Sequence, residues 1–291
     1  MRCEKFYRID EKLKAEWNAF LYNHPYGNFF QSHLFWELCS MTSAYKPVLW
    51  LVYEGEEILA CMLGTFVSDE MLKGLMRFVV FQGPLIHPDA SKLSDALFNL
   101  LLYELKRLDD KGLVYVEIRN IDPEIRNKKL PGLKAFMVQK RFSIVMDIEN
   151  KNKNDVWRML GKDKQRQIES SLKKGLRIED ANTEEDVVLL YDLLRVLYKR
   201  KIHKPLPAIE LFFNFNRLIA KYNSACIKVI RSDEGLCGGV ICPYLDGKML
   251  HEWYICGGDN TQRGFYPGVL ATWAAIETAV EKNIPLFDFM G

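Results

Sequence analysis

The chain has 291 residues, 48% of them apolar and 12% aromatic, which is enough to bury two cores and too hydrophobic for a disordered chain. Forty Lys and Arg face 38 Asp and Glu, leaving about −1 on residues 1–150 and +3 on residues 151–291, so neither half is a general nucleic-acid binder and DNA is not an expected partner. The start, MRCEKFYRIDEK, lacks a signal-peptide apolar run, and no stretch approaches the ~18 apolar residues of a membrane span. A cytoplasmic protein is expected, with peripheral membrane contact left open. The seven cysteines are scattered, with no CxxC pair and no zinc-type spacing, so reduced thiols and no metal are expected.

In chain order, EKLKAEWNAFLYN and SHLFWELCSMTS carry helical spacing. KPVLWLVYEGEEILACMLGTFVS reads as two strands around the turn Glu54-Gly55-Glu56, and FVVFQGPLIH as a strand run broken at Gly83-Pro84. A long helix follows in LSDALFNLLLYELKRLDDKG, then the strands LVYVEIRN and FSIVMDI. The polar stretch ENKNKN, Glu149 to Asn154, marks a join between domains at 1–150 and 151–291.

The second half opens with one basic helix from about Asn154 to Lys174, ended by Gly175, with Trp157, Leu160, Ile168 and Leu172 as its apolar stripe. Within it, GKDKQRQIESSLKKG holds five bases against two acids. After the short strand LRIEDA come helices in TEEDVVLLYDLLRVLYKRK and PAIELFFNFNRLIAKY. Three strand-like runs follow, ACIKVIRS, LCGGVICPYL and KMLHEWYICGG, then the helix PGVLATWAAIETAVEKN and the last strand PLFDFMG. This order predicts a compact α/β unit with a mixed sheet flanked by helices, and the first half runs a cruder version of the same course.

Several of these stretches together resemble the FemAB-like transferases. They are FFQSHLFWELCS, FQGPLIHPD, VWRMLGKDKQRQIESSLKKGLRIED, GGVICPYLDGKMLHEWYICGG and YPGVLATWAAIETAVEKNIPLFDFMG. The resemblance covers about Gln31 to Gly291, and implies two tandem domains of the GNAT acyltransferase type that move an acyl or aminoacyl group onto an amine. It also implies further strand and loop where this chain ends at Gly291. Gln82 stands where the family usually has Arg before Gly-Pro, which weakens an anion site at Gln82 and Gly83.

Acyl transfer from an activated donor needs alignment, a base and oxyanion stabilisation, but no protein nucleophile, and none of the GxSxG kind is present. Two carboxylates are candidate catalytic groups. Asp288 lies between two phenylalanines at a strand end, where its alternative is a carboxylate satisfied by backbone N–H groups. Glu252 lies on the probable central strand, where its alternative is a solvent-facing position. Trp253 and Tyr254 should point to opposite faces, and the resemblance favours Tyr254 as a wall of the substrate site. The resemblance also implies acceptor binding by Arg200, whose alternative is a cation at a helix C-terminus. Lys162 and Arg166 on the basic helix either border a cleft or face water, and docking of tRNA is a third reading. Gly238-Gly239 would admit a close ligand backbone or a packed helix.

The loop TQRGFYPGVL holds Arg263, Gly264 and Gly268 where GNAT enzymes cradle the CoA pyrophosphate, but its spacing differs and Pro267 removes a donor. No permanently bound cofactor is expected, and acyl-CoA or aminoacyl-tRNA is the co-substrate. The leading expectation is therefore an N-acyltransferase acting on a small-molecule or cell-wall-precursor amine. An acyl-CoA-dependent acetyltransferase of a small metabolite is the first alternative, and a binding protein that keeps the fold without the chemistry is the second.

Overall fold

Runs of alternating β-branched and aromatic residues fall into two blocks, and each block builds one sheet. The computed structural model of the protein describes residues 1–68, 74–108, 111–119, 136–139, 142–258 and 264–290. The chain divides into two compact units, Met1–Arg141 and Phe142–Gly291. In the first, β1 (Arg2–Phe6), α1 (Glu11–Asn23) and α2 (His33–Met41) precede β2 (Tyr45–Glu54), β3 (Glu57–Ser68), β4 (Met76–Phe81) and β5 (Leu85–Ile86). They are followed by α3 (Ser94–Lys106) and β6 (Leu113–Arg119). The strand order is β1-β2-β3-β4-β6, with β5 beside β3.

The second unit opens with β7 (Val145–Asp147), α4 (Lys153–Met159) and α5 (Lys162–Lys173). Then come β8 (Arg177–Asp180), α6 (Glu184–Leu197), a π-helical turn Tyr198–Ile202 and α7 (Ile209–Tyr222). The rest is β9 (Ala225–Ser232), β10 (Gly235–Leu245), β11 (Met249–His251), β12 (Tyr254–Gly257), α8 (Pro267–Glu281) and β13 (Leu286–Asp288). Its order is β7-β13-β11-β10-β9-β8, with β12 also on β10. Apart from β7, that order repeats the first unit. Both are mixed sheets flanked by helices, the class read from the sequence.

The strand FSIVMDI belongs to the second sheet: Val145, Met146 and Asp147 pair antiparallel with Asp288, Phe287 and Leu286. The units therefore part between Arg141 and Phe142, ahead of the polar stretch at Glu149 to Asn154. The basic helix is two helices. Leu160 (φ −69°, ψ 140°) and Gly161 (φ −60°, ψ 143°) are extended, and the Gln165 side chain donates to the carbonyls of Trp157 (2.7 Å) and Leu160 (3.3 Å). Asn152 and Asp155 close a reciprocal capping box at the start of α4, so the first piece has its own N-terminus.

Packing follows the alternation of each strand. In the first unit Val48, Trp50 and Val52 face the α3 side with Phe78, Leu97 and Leu101, and the Trp50 and Phe78 rings meet edge to face at 5.7 Å. In the second, Val240, Cys242, Leu250 and Phe287 bury against Leu270, Trp273 and Ile276 of α8. All seven cysteines are free thiols.

Gln31 fills the place where β3 and β4 separate in the first unit. Its amide donates to the carbonyls of Leu63 (3.0 Å) and Phe81 (2.7 Å), and its oxygen accepts from the Leu63 N–H (2.8 Å). Gly83 is required beside it, since a Cβ there would lie 2.4 Å from Gln31 Nε2. Gln31→Leu strands a buried N–H and two carbonyls, so urea unfolding is expected to show a loss of about 3 kcal/mol.

Candidate active site

Each unit carries one parallel strand pair, β4–β6 at the edge of the first sheet and β11–β13 inside the second, and in each the next strand, β5 or β12, pairs among the described residues with β3 or β10 alone. In the first unit β4 and β6 stay paired from Met76–Leu113 to Phe81–Arg119, with one irregularity between Met76 and Arg77. In the second, β11 and β13 pair only at Met249–Leu286, Leu250–Phe287 and His251–Asp288. The Glu252 N–H then donates to the Asp288 carbonyl at 2.9 Å, and beyond that rung β12 pairs with β10 alone among the described residues. The second sheet is split there.

A β-bulge accompanies the split. Leu250 pairs with Tyr244, and four residues later Tyr254 pairs with Ile241, only three residues back along β10. The Trp253 N–H also donates to the Ile241 carbonyl (3.0 Å), so two residues of one strand oppose one of the other. This overturns the expectation that Trp253 and Tyr254 face opposite ways. Both rings meet α7, Trp253 at Phe215 (6.0 Å) and Tyr254 at Phe212 (5.1 Å), and they touch each other at 4.9 Å. Tyr254 is 9% exposed, packed among aromatic rings that include Tyr198.

Glu252 sits at the apex of the split and turns to the other face, where Thr272 of α8 donates to it at 2.6 Å. It is 8% exposed, not a solvent-facing strand position. Burial pushes its carboxyl up to about 7; the Thr272 hydrogen bond pulls it back, and the charge of Asp288 adds to the rise. A carboxylate that titrates near neutrality is suited to take and return a proton.

Asp288 is different. Its side chain is fully buried, and accepts from Ser143 Oγ (3.0 Å), the Met290 N–H (2.9 Å) and the His251 ring (3.1 Å). Burial alone would raise it, but His251, the Met290 N–H and Ser143 outweigh burial and hold it below the ordinary carboxylate value. The thiol on β12, Cys256, is pushed up to about 12 by burial and is no nucleophile at neutral pH.

The end of β12 abuts the start of α8. A Cβ on Gly257 would lie 2.2 Å from the Gly268 nitrogen, and one on Gly238 2.9 Å from Pro267 Cβ. A Cβ on Gly239 would meet Leu190 of α6 at 2.8 Å, so both β10 glycines admit packed elements. Ser170 and Ser171 of α5 tie the helix to this corner: Ser170 Oγ donates to the Gly264 carbonyl (3.2 Å), and Ser171 Oγ accepts from the Tyr266 N–H (3.1 Å). A Cβ on Gly264 would meet Lys174 Nζ at 2.4 Å. Arg263 lies outside the described residues.

The remaining candidates are scattered. Lys162 is exposed and bonds Gln165 (3.4 Å), while Arg166 pairs with Asp163 (3.4 Å) and lines a surface depression of about 260 Å³ with Glu169, Ser170, Lys173 and Lys174. Arg200 is exposed on the π-helical turn. Gln82 (φ 52°) and Gly83 stand in the first unit; the Gln82 carbonyl accepts from Asn28 Nδ2 (3.1 Å). Sequence reasoning missed Thr272, His251 and Ser143. A Thr inside an apolar helix and a Ser ahead of a strand carry no signal until the partner strand is placed. Among the described residues no group of His, Cys, Asp and Glu could hold a metal, and no helix is long and apolar enough to cross a membrane.

Residues 162–291 match the acetyltransferase (GNAT) domain family. No curated protein matches the sequence. Among solved structures the chain is similar to FemX, at 14% identity and a TM-score of 0.69, covering 99% of this chain and 88% of FemX. It is also similar to a tandem GNAT protein from the clavulanic acid biosynthesis pathway, at 11% identity and a TM-score of 0.57, covering 99% and 89% of the two chains. A conserved protein of unknown function from Bacteroides thetaiotaomicron follows at 10% identity and a TM-score of 0.52, covering 95% and 87%. At these identities the likeness is one of fold.

The raised carboxyl of Glu252 has a stability consequence. The folded protein holds this proton more tightly than the unfolded chain, so ionising Glu252 costs native stability. The cost is absent below about pH 4, grows as the pH rises towards 7, and is complete above that. Glu252→Gln removes it. Urea unfolding is expected to show the variant gaining on the wild type by about 3 kcal/mol between pH 4 and pH 8.

Proposed function

Starting from a chain that carries a GNAT acetyltransferase domain over residues 162–291 and has a tandem GNAT fold, we propose that it moves an acyl group from an activated donor to an amine within its second unit. The observation that carries this reading is the split between β12 and β13 with Glu252 at its apex. Trp253 and Gly258 direct their N–H groups at the carbonyls of Ile241 and Cys237 on β10. Strand alternation then turns the backbone groups of Ile255 and Gly257 to the other side, where β12 has no strand partner among the described residues. An extended amide-bearing donor adds there as a strand would, and the Ile255 N–H is a donor for the oxyanion.

Glu252 takes a proton from the acceptor ammonium. The freed lone pair attacks the donor carbonyl, and the tetrahedral intermediate expels the thiolate or the ribose oxygen, which leaves with a proton. The buried Cys256 thiol supports direct transfer over an acyl-enzyme.

The corner at α8 bears on the donor. The Tyr266 N–H is already taken by Ser171, Pro267 has none, and Gly257 covers Gly268, so among the described residues few backbone donors remain for a pyrophosphate. This favours an aminoacyl ester, as on aminoacyl-tRNA, over a CoA thioester, and an amine of a cell-envelope precursor as acceptor. The acyl-CoA reading keeps the same chemistry with a small-metabolite amine. The binding-protein reading loses ground to the neutral-range titration of Glu252.

Calorimetric titration with acetyl-CoA, paired with a transfer assay using aminoacyl-tRNA and a panel of amines, separates these readings. One donor is expected to bind per chain, because Glu252 and its Thr272 partner lie in the second unit. Glu252→Gln is expected to lower kcat about a hundredfold or more at unchanged donor affinity. Wild-type turnover by Glu252→Gln would remove the proposed base.

A further inference from the structure

Asp288 and Glu252 lie on opposite faces of one sheet at the point where it splits. Leu250 and Phe287 bury against α8, so the alternate residues His251 and Asp288 project to the far side, while Glu252 reaches Thr272 of α8. Both oxygens of Asp288 are engaged: Oδ1 accepts from Ser143 and Met290, and Oδ2 from the His251 ring. Asp288 and His251 are each 0% exposed. A carboxylate held this way cannot reach an amine bound at Glu252.

Its connections reach Glu252 by another route. The Asp288 carbonyl receives the Glu252 N–H, the last rung before β12 departs. Ser143 precedes β7, which pairs with β13 on its other edge, so the Asp288 side chain also ties that edge to the same point. We propose that Asp288, clamped by Ser143, His251 and the Met290 N–H, is the positioning residue of the site, fixing the strand end from which Glu252 hangs. The inference rests on the reading of Glu252 as the base.

The groups round Glu252 that carry or acquire charge are Asp288 on β13, His251 beside it and the thiol of Cys242 on β10; Thr272 of α8 is neutral. Of these, Asp288 is the one whose negative charge opposes ionisation of Glu252. Removing that charge while keeping the shape reads how closely the ionised Asp288 carboxylate stands to Glu252, and loosening its clamp at Ser143 reads positioning.

The test uses the full chain labelled with 13C-carboxyl glutamate, with Glu252→Gln to assign the signal, and the variants Asp288→Asn and Ser143→Ala. In Asp288→Asn the Glu252 signal is expected to titrate about one pH unit lower, with the acid limb of kcat/KM moving alongside. In Ser143→Ala, which keeps the charge and loosens the clamp, the limb is expected to stay while kcat drops about tenfold at unchanged KM. A folded Asp288→Asn with an unmoved Glu252 titration would overturn the proposal. So would complete loss of transfer at every pH in Asp288→Asn with a wild-type Ser143→Ala, which would make Asp288 a catalytic residue. If Asp288→Asn does not fold, kcat of Ser143→Ala decides, and a wild-type value overturns the proposal. A wild type that transfers to no amine defeats the proposed function alone, because the Glu252 titration still reads the role of Asp288.

Discussion

One extra residue in a strand governs the second unit. Two residues of the β11–β12 run, Trp253 and Tyr254, oppose the single Ile241 of β10, and the strand twists away from its parallel neighbour at that point. Everything assigned to the site depends on this. The bulge sends both aromatic side chains to α7 and Glu252 to α8. A regular strand would alternate instead and keep its ladder with β13.

The comparison within the molecule shows what the bulge achieves. Both units run the same strand order and part after the parallel pair, and the first fills the gap between β3 and β4 with the Gln31 amide. The same scaffold thus holds a buried amide, Gln31, near the end of β4 in one unit and a buried carboxylate, Glu252, after β11 in the other. The Gln31 amide satisfies the backbone groups it meets internally, and in the proposed site the edge of β12 would offer its donors to a ligand instead. Sites in mixed sheets gain from such an edge because main-chain N–H groups are rigid and already aimed.

Burial then divides the labour between two carboxylates two strands apart in sequence but adjacent in space. Glu252 has one hydrogen bond from Thr272 and a like charge nearby, so its proton is held to about pH 7. Asp288 has Ser143, Met290 and His251 around it and stays ionised. Nothing in the residue types separates Asp from Glu in this way; partners do.

The sequence by itself determined most of the element order, the two-unit plan and the mixed-sheet class, because periodicity and turn residues are local properties of the chain, but it did not mark β1 or the division between β11 and β12. It also marked Glu252 on the probable central strand and Asp288 at a strand end as candidate carboxylates. It did not mark the break at Leu160-Gly161, which shows only where Gln165 folds back on the carbonyls of Trp157 and Leu160. Only the tertiary structure decided which way Trp253 and Tyr254 face, because a bulge is defined by the register of the partner strand and not by the strand that carries it. The roles of Thr272, His251 and Ser143 were hidden for the same reason: Thr272 lies 20 residues from Glu252, Ser143 lies 145 from Asp288, and long-range pairing is what brings each to its carboxylate.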